Sequence, residues 1–197
     1  MTRENALRAA PRQVRIVGGR WKRSVLRVPL IDGLRPTPDR VRETLFNWLR
    51  HLAVIDGSTR GIDLFAGTGA LGFELASRGA GRVVLVESHP AALDGLRATR
   101  TRLLASQVEI LAGDALAVAA AFPAASFDIV FLDPPFAAAL QRPALDASRR
   151  LVAPAGWIYL EAPEPLAAGE AVHAGLEVVR SARAGRVAFH LLRPASA

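Results

Sequence analysis

A glycine-rich stretch, DLFAGTGALG at residues 63–72, overlaps the end of a short, mostly apolar run at 61–65. The spacing Gly67-x-Gly69-x-x-Gly72 is typical of a loop that joins a buried strand to a helix and lets the backbone pass close to a nucleotide-like ligand. Glu87 follows twenty positions after Gly67, where a ribose-binding carboxylate stands in such folds. The stretch therefore predicts an open α/β sheet and a ligand site at one edge of it.

Strand and helix patterns alternate along the rest of the chain. We expect strands at 61–65, 82–87, 108–111, 127–132 and 157–161, and helices at 70–78, 90–104, from Asp114 to Phe122, and at 141–151. Two further strands, 176–181 and 186–192, are joined near Gly185 like a hairpin. The alternation predicts an α/β, Rossmann-like fold with a seven-stranded, mostly parallel sheet and a C-terminal antiparallel hairpin.

The N-terminal part reads differently. Two short strands at 13–17 and 24–28 flank the Gly18-Gly19 turn, and two prolines stiffen the loop at 34–39. A helix follows, with Asp39 as its expected N-cap and with Val41, Leu45, Trp48 and Leu49 at helical spacing. We therefore divide the chain into a small basic N-terminal extension, 1–50, and a main domain, 51–197.

The charge distribution supports this division. The net charge is +7, but residues 1–50 carry twelve Arg and Lys and four Asp and Glu, a net charge of +8, whereas residues 51–197 carry thirteen and fourteen. This asymmetry indicates a basic surface for a polyanion such as nucleic acid. The polar N-terminus predicts no secretory signal, and no apolar run is long enough to span a membrane, so we expect a cytoplasmic protein.

Acidic residues stand at four successive predicted strand ends: Asp63, Glu87, Asp114 and Asp133. The glycine spacing fits both a dinucleotide and S-adenosylmethionine, but an anionic pyrophosphate disfavours nearby carboxylates, whereas a sulfonium and an ammonium favour them. The acids therefore predict S-adenosylmethionine as the cofactor. The predicted cofactor-binding residues are Asp63, Phe65, Ala66, Gly67, Thr68, Gly69, Glu87, Asp114 and Ala115, although each acid alone could equally be a helix N-cap or a solvated carboxylate.

The fourth strand ends in Asp133-Pro134-Pro135-Phe136, which we predict to be the catalytic loop. An exocyclic amine is a poor nucleophile because its lone pair is delocalised. The Asp133 carboxylate and the Pro134 carbonyl can accept its two N–H bonds and hold the nitrogen in line with a methyl donor. Phe136 can stack on a base that has left its helix. The alternative is a strand-ending turn with a core phenylalanine.

Together these motifs resemble the RsmD family of bacterial methyltransferases of small-subunit ribosomal RNA, over residues 13–193. The resemblance includes VRIVGGRWKR, LRPTPDRVRETLFNWL, DLFAGTGALGFELASRGA, VVLVE, GDAL, DIVFLDPPF and GRVAFHLL. It implies a class I S-adenosylmethionine-dependent methyltransferase with strand order 3-2-1-4-5-7-6, acting on N2 of guanine 966 in 16S rRNA. It also implies RNA contacts by Arg15, Arg20, Lys22, Arg23, Arg35, Thr37, Arg40 and Arg42.

Three alternatives stay open from the sequence. A DNA adenine-N6 methyltransferase uses a similar loop, although 197 residues leave little room for a separate recognition domain. A non-catalytic rRNA-binding assembly factor could retain the fold, and a dehydrogenase could use the glycine loop. The four histidines show no metal-ligand spacing and there is no cysteine, so we expect no metal. The expected partner is 16S rRNA in the small subunit, with no membrane contact, and the expected state is a monomer.

Overall fold

The structure is a computed structural model, which describes residues 13–31, 34, 36–135, 140–166, 175–185 and 187–195. Two residues predicted to be functional, Arg35 and Phe136, lie outside the described residues. The strands are β1 Gln13–Arg15, β2 Val25–Arg27, β3 Arg60–Asp63, β4 Arg82–Glu87, β5 Val108–Ala112, β6 Phe127–Leu132, β7 Val152–Ala162, β8 Leu176–Ala184 and β9 Val187–Pro194. The helices are α1 Asp39–His51, α2 Ala70–Ser77, α3 Pro90–Leu103, α4 Ala115–Ala121 and α5 Gln141–Leu151.

Seven strands form one sheet in the order β5-β4-β3-β6-β7-β9-β8. The five strands β5, β4, β3, β6 and β7 run parallel to one another, and β9 is antiparallel to both β7 and β8. Counted from β3, this order is 3-2-1-4-5-7-6, which confirms the predicted fold. The chain order reverses between β3 and β6, so the carboxyl ends of these two strands flank the crevice where open α/β sheets bind ligands.

The sheet is buried on both faces, which explains why its strands read as continuous apolar runs. Alternate residues of β4 enter different hydrophobic clusters: Val83 and Leu85 belong to one, and Val84 and Val86 belong to the other. Because side chains alternate across a strand, each cluster fills the space between one face of the sheet and its helices.

The N-terminal region packs against the first of these faces. Ile16 and Trp21 of the hairpin region and Phe46 of α1 belong to the same cluster as Val83 and Leu85. The ring of Phe46 meets that of Phe131 in β6 edge to face, with 6.1 Å between centroids. The predicted boundary after residue 50 therefore separates two regions by charge, while both contribute to one hydrophobic core.

Several predicted element bounds differ from the structure by a few residues, and the differences at the starts of α1 and β7 have a clear physical reason. The N-cap of α1 is Pro38 rather than Asp39, which is the first helical residue. The Asp39 carboxylate accepts a hydrogen bond from Arg42 instead of capping the helix. Strand β7 begins at Val152 rather than at Trp157. Pro154 and Gly156 weaken the strand signal there, and the pairing with β6 shifts register over this segment, which accommodates them.

Candidate active site

The glycine loop connects β3 to α2 and passes over the end of β4. Ala66 N–H donates to the Val86 carbonyl at 2.9 Å, and Gly67 N–H donates to Glu87 Oε2 at 2.8 Å. Gly67 and Gly69 have φ angles of +52° and +77°, in the left-handed region that favours glycine. A Cβ on Gly69 would lie 2.6 Å from the Phe73 ring. The fold thus requires glycine at both positions.

Asp63 is the last residue of β3 and is 1% exposed. Burial raises the pKa of Asp63 to about 7, backbone hydrogen bonds from Phe65 and Gly72 oppose that rise, and the charges of Glu87 and Glu161 add to it. Its Oδ1 has no hydrogen-bond partner among the described residues. A buried acceptor without a donor is costly unless a ligand satisfies it. The site therefore fits a cationic group such as the ammonium of S-adenosylmethionine.

Glu87 and Asp114 lie at the ends of β4 and β5 and are already bonded to backbone N–H groups. Glu87 Oε1 accepts from Ser88 and His89, each at 2.8 Å, while its Oε2 holds Gly67. Asp114 is the N-cap of α4, where Oδ1 accepts from the second and third residues of that helix at 3.0 and 2.9 Å. Asp114 therefore caps α4 through Oδ1, as the sequence allowed. Its other oxygen, Oδ2, would make the predicted adenine contact.

The remaining predicted cofactor residues line the same loop and the start of α4. Ala66, Thr68 and Ala115 are each about nine-tenths buried or more, at 6%, 7% and 7% exposure. Phe65 is partly buried and packs against the second hydrophobic cluster. Their small or partly hidden side chains leave backbone groups to face a ligand.

Asp133 follows β6, which is the neighbour of β3, so it lies beside Asp63 at the sheet edge. Its Oδ2 accepts a hydrogen bond from the Thr37 hydroxyl at 3.4 Å. Burial, and then the charges of Glu161 and Asp63, raise the pKa of Asp133 well above its ordinary value. Pro134 is buried and Pro135 is exposed. The loop before α1 therefore contacts Asp133, the residue predicted to hold the reacting amine, through Thr37.

The sequence motifs did not single out Glu161, near the end of β7. Its side chain is buried, with 3% of the residue exposed, and its Oε1 accepts a bond from the Tyr159 hydroxyl at 2.9 Å. Burial raises the pKa of Glu161, while hydrogen bonds from Thr37 and Tyr159 and the charge of Arg42 oppose that rise. The signal was available, because Glu161 ends the fifth predicted strand just as the four recognised acids end or follow the first four.

The basic hairpin, which consists of β1, β2 and the segment between them (13–27), is fixed to α2 by buried polar contacts. Val17 N–H donates to Glu74 Oε2 at 2.7 Å, and Trp21 N–H donates to Ser77 Oγ at 2.9 Å. Gly19 has a φ of +73°, and a Cβ there would overlap the Ser77 carbonyl oxygen. The predicted RNA-binding residues of this hairpin are all exposed to solvent: Arg15, Arg20, Lys22 and Arg23.

The predicted RNA contacts near α1 divide in two. Arg40 is exposed, but Arg42 is 0% exposed and Thr37 is 4% exposed. The Arg42 guanidinium donates to the Arg15 carbonyl at 2.6 Å and to Asp39 Oδ1 at 2.5 Å, and so ties α1 to β1. The structure does not support RNA contacts by Thr37 and Arg42, because a phosphate cannot reach side chains buried in this way.

Metal binding and membrane insertion each need a particular arrangement of residues. In the described parts of the chain, no three His, Asp or Glu side chains are grouped so that they could hold a metal ion. Of the helices that the structure describes, none is both long enough and apolar enough to cross a membrane.

The strand order and the site at the β3–β6 crevice define the class of the protein. It has the Rossmann-like fold of class I S-adenosylmethionine-dependent methyltransferases. The solved structure of yhhF from Escherichia coli is similar, with a TM-score of 0.78 and 37% identity, over 93% of this chain and 99% of that chain.

Sequence comparison narrows the class to a family. Residues 14–193 match the family described as "Conserved hypothetical protein 95". Ribosomal RNA small subunit methyltransferase D from Escherichia coli is 40% identical over 150 residues, 76% of this chain and 72% of that protein. The protein of the same name from Haemophilus influenzae is 42% identical over 127 residues, 63% and 64% of the two chains. The chain belongs to this family, the RsmD family, as the sequence motifs predict.

Proposed function

We propose that this chain transfers a methyl group from S-adenosylmethionine to the exocyclic N2 of a guanine in 16S rRNA of the small ribosomal subunit. The observation that carries the proposal is Asp133-Pro134 at the end of β6, one strand from the glycine loop of β3. The relatives named above are called ribosomal RNA small subunit methyltransferases, which supports the substrate class. Guanine 966 is the position that the family resemblance implies, and the cytoplasm is the proposed location.

The residues at the strand ends fit the cofactor. Asp63, with its unpartnered Oδ1, would face the ammonium of the methionine moiety. Glu87 would accept from the ribose hydroxyls, and Asp114 would reach the adenine edge. Gly67 and Gly69 let the backbone approach, because a side chain at either position would be strained. When bound, S-adenosylmethionine supplies a methyl group activated by the sulfonium.

Asp133 and Pro134 would orient the target nitrogen. The carboxylate and the proline carbonyl are two acceptors for the two N–H bonds of the amine, and proline contributes no competing N–H donor. Their negative ends stabilise positive charge that develops on the nitrogen. Phe136, outside the described residues, would stack on the extruded base, worth about 1–3 kcal/mol by analogy with single-strand platforms.

The exposed basic hairpin would bind RNA phosphates. Replacing Arg20, Lys22 and Arg23 together by alanine should flatten the log–log salt dependence of RNA binding by about 0.7–0.9 for each phosphate that the hairpin no longer neutralises. The matched control removes three exposed arginines from α5, β8 and β9: Arg142, Arg180 and Arg193. Equal slopes of the salt dependence for the two triple variants would show that the hairpin does not bind RNA phosphates.

The decisive experiment is transfer of labelled methyl groups to unmethylated small subunits, naked 16S rRNA and duplex DNA, with nucleoside analysis. We expect N2-methylguanosine at one rRNA site. The Asp133→Asn variant should lose about 100- to 1,000-fold in kcat because it loses one preorganised acceptor charge. Asp146→Asn, an exposed acid of α5 paired with Arg142, is the matched control and should keep normal activity.

Each contrary result has a definite meaning. N6-methyladenine in DNA would retain the amine chemistry and reject the rRNA substrate. Transfer that is unaffected by Asp133→Asn would reject the catalytic loop. Cofactor binding without transfer to any of the three substrates would favour a non-catalytic role on rRNA.

A further inference from the structure

Two carboxylates meet at the reacting end of the sheet. Strands β6 and β7 are parallel neighbours with Leu132 aligned to Leu160, so the next residues, Asp133 and Glu161, emerge side by side at one edge. Glu161 is buried, and of the two acids the proposed methyl transfer uses only Asp133. A second buried acid beside the reacting one calls for a physical explanation, because burying a carboxylate is costly.

The Thr37 hydroxyl lies between the two acids. It donates to Asp133 Oδ2 at 3.4 Å, and its hydrogen bonding also lowers the pKa of Glu161. Because a hydroxyl has a single hydrogen, it can donate to only one of the two carboxylates at a time. The orientation of Asp133 therefore depends on whether the Thr37 hydroxyl donates its hydrogen bond to Asp133 or to Glu161.

Glu161 has more support for a negative charge than Asp133 has. The Tyr159 hydroxyl donates to its Oε1 at 2.9 Å, and burial raises the pKa of Tyr159, so this group remains a donor. The Arg42 guanidinium also favours the ionised form of Glu161. For Asp133, the only favourable contact among the described residues is the long bond from Thr37.

We propose that Glu161 is a positioning residue for the methyl transfer, which acts through the shared Thr37 hydroxyl to set the orientation and the charge of Asp133. This inference rests on the proposed function, since Asp133 is the acceptor for the amine. With Glu161 ionised, a second negative charge on Asp133 is disfavoured until a cation enters the site. S-adenosylmethionine would supply such a cation at this site, and Asp133 would then act as an acceptor for the amine.

The charged and titratable groups around the pair come from three elements. Asp63 of β3 adds negative charge, Arg42 of α1 adds positive charge, and Tyr159 of β7 is a neutral donor. Thr37, from the loop before α1, donates to Asp133 Oδ2, and its hydrogen bonding also lowers the pKa of Glu161. Burial raises the pKa of Asp133, and the negative charge of Glu161 raises it further. Removing the charge of Glu161 should therefore let Asp133 ionise at lower pH.

The first test is Glu161→Gln, which keeps the shape and the acceptor for Tyr159 but removes the charge. The acid limb of the kcat profile should move about one pH unit toward lower pH, with KM for RNA unchanged within about twofold. The matched control is Glu109→Gln, an exposed acid of β5 paired with Arg82, which should move neither quantity.

A second readout does not depend on catalysis. In the free protein labelled with [4-¹³C]aspartate, the Asp133 signal is assigned by its absence in Asp133→Asn. Its titration midpoint should fall in Glu161→Gln and stay in place in Glu109→Gln. In addition, Thr37→Val should lower kcat about tenfold at constant KM, and Thr37→Ser, which keeps the hydroxyl, should restore it.

The outcomes separate this inference from the proposed function. If the wild-type chain methylates rRNA but Glu161→Gln leaves both the acid limb and the Asp133 midpoint unchanged, the role of Glu161 is overturned and the proposed function stands. The same holds if Thr37→Val has full activity. If the wild-type chain transfers no methyl group to rRNA, both the function and the role of Glu161 fail.

Discussion

The acids along the sheet edge fall into two groups with opposite surroundings. Glu87 and Asp114 are supplied with backbone N–H donors by the turns in which they stand. Asp63 and Glu161 are almost fully buried, and Asp133 lies beside them with one long hydrogen bond. The first group helps the fold, because charge-assisted bonds satisfy it. The second group opposes the fold when it is ionised, and the cationic cofactor of the proposed function would offset that cost.

The largest test of this contrast is Asp63→Asn. In the folded protein the pKa of Asp63 is raised from 3.8 to about 7, so this group contributes stability at low pH that is lost as the pH rises through about 7. Between pH 5 and 8 the wild type should lose about 3 kcal/mol relative to Asp63→Asn, since two pH units separate pH 5 from the raised pKa. Urea unfolding at both pH values measures the difference.

The control for Asp63→Asn is Asp146→Asn, which changes an exposed acid in the same way. Its stability difference from the wild type should be the same at pH 5 and pH 8. A difference between wild type and Asp63→Asn that did not grow with pH would mean that Asp63 is not held in its protonated form by burial.

Glu87→Gln should destabilise the fold at pH 8, opposite to the effect expected for Asp63→Asn. The glutamine amide has a single oxygen, so one of the bonds to Gly67, Ser88 and His89 is replaced by an N–H group that faces another N–H group. We expect a loss of about 2 kcal/mol in the free energy of unfolding at pH 8, where Asp63→Asn is stabilising.

The same unfolding measurement on Glu109→Gln is the control. That change removes an exposed ion pair with Arg82 and should cost less than about 1 kcal/mol. If Glu87→Gln were as stable as the wild type, the two groups of acids would not differ in what they do for the fold.

The contrast also marks what the sequence can predict. The mostly parallel sheet followed from alternating strand and helix patterns, and the acids Asp63, Glu87, Asp114 and Asp133 followed from the rule that parallel strands end at one edge. The strand order came from the family resemblance, because periodicity alone does not fix which strands are neighbours. The burial of Arg42 and the contact between Thr37 and Asp133 did not follow. Those two contacting residues are 96 positions apart, and local periodicity carries no information about which segment covers the site.

The burial of individual polar residues was also hard to predict, because it depends on contacts between segments that are distant in the sequence. Arg42 and Arg40 stand in one basic-looking helix start, yet one is buried and the other is exposed. The difference arises because the hairpin docks on α1 and supplies the Arg15 carbonyl as an acceptor. A charge count places basic residues near a surface, but only the docked hairpin decides which of them can meet RNA.

The smallest effect separates the two roles of Asp114. Asp114→Ala removes the bonds to the Leu116 and Ala117 N–H groups and should cost about 1 kcal/mol of stability. Asp114→Asn keeps an N-cap of similar strength but loses the charge that the proposed adenine contact uses. Calorimetric titration with S-adenosylmethionine should therefore show weaker binding for Asp114→Asn at nearly unchanged stability. Wild-type affinity in Asp114→Asn would restrict Asp114 to capping α4 and leave Asp63 and Glu87 as the acids that select the cofactor.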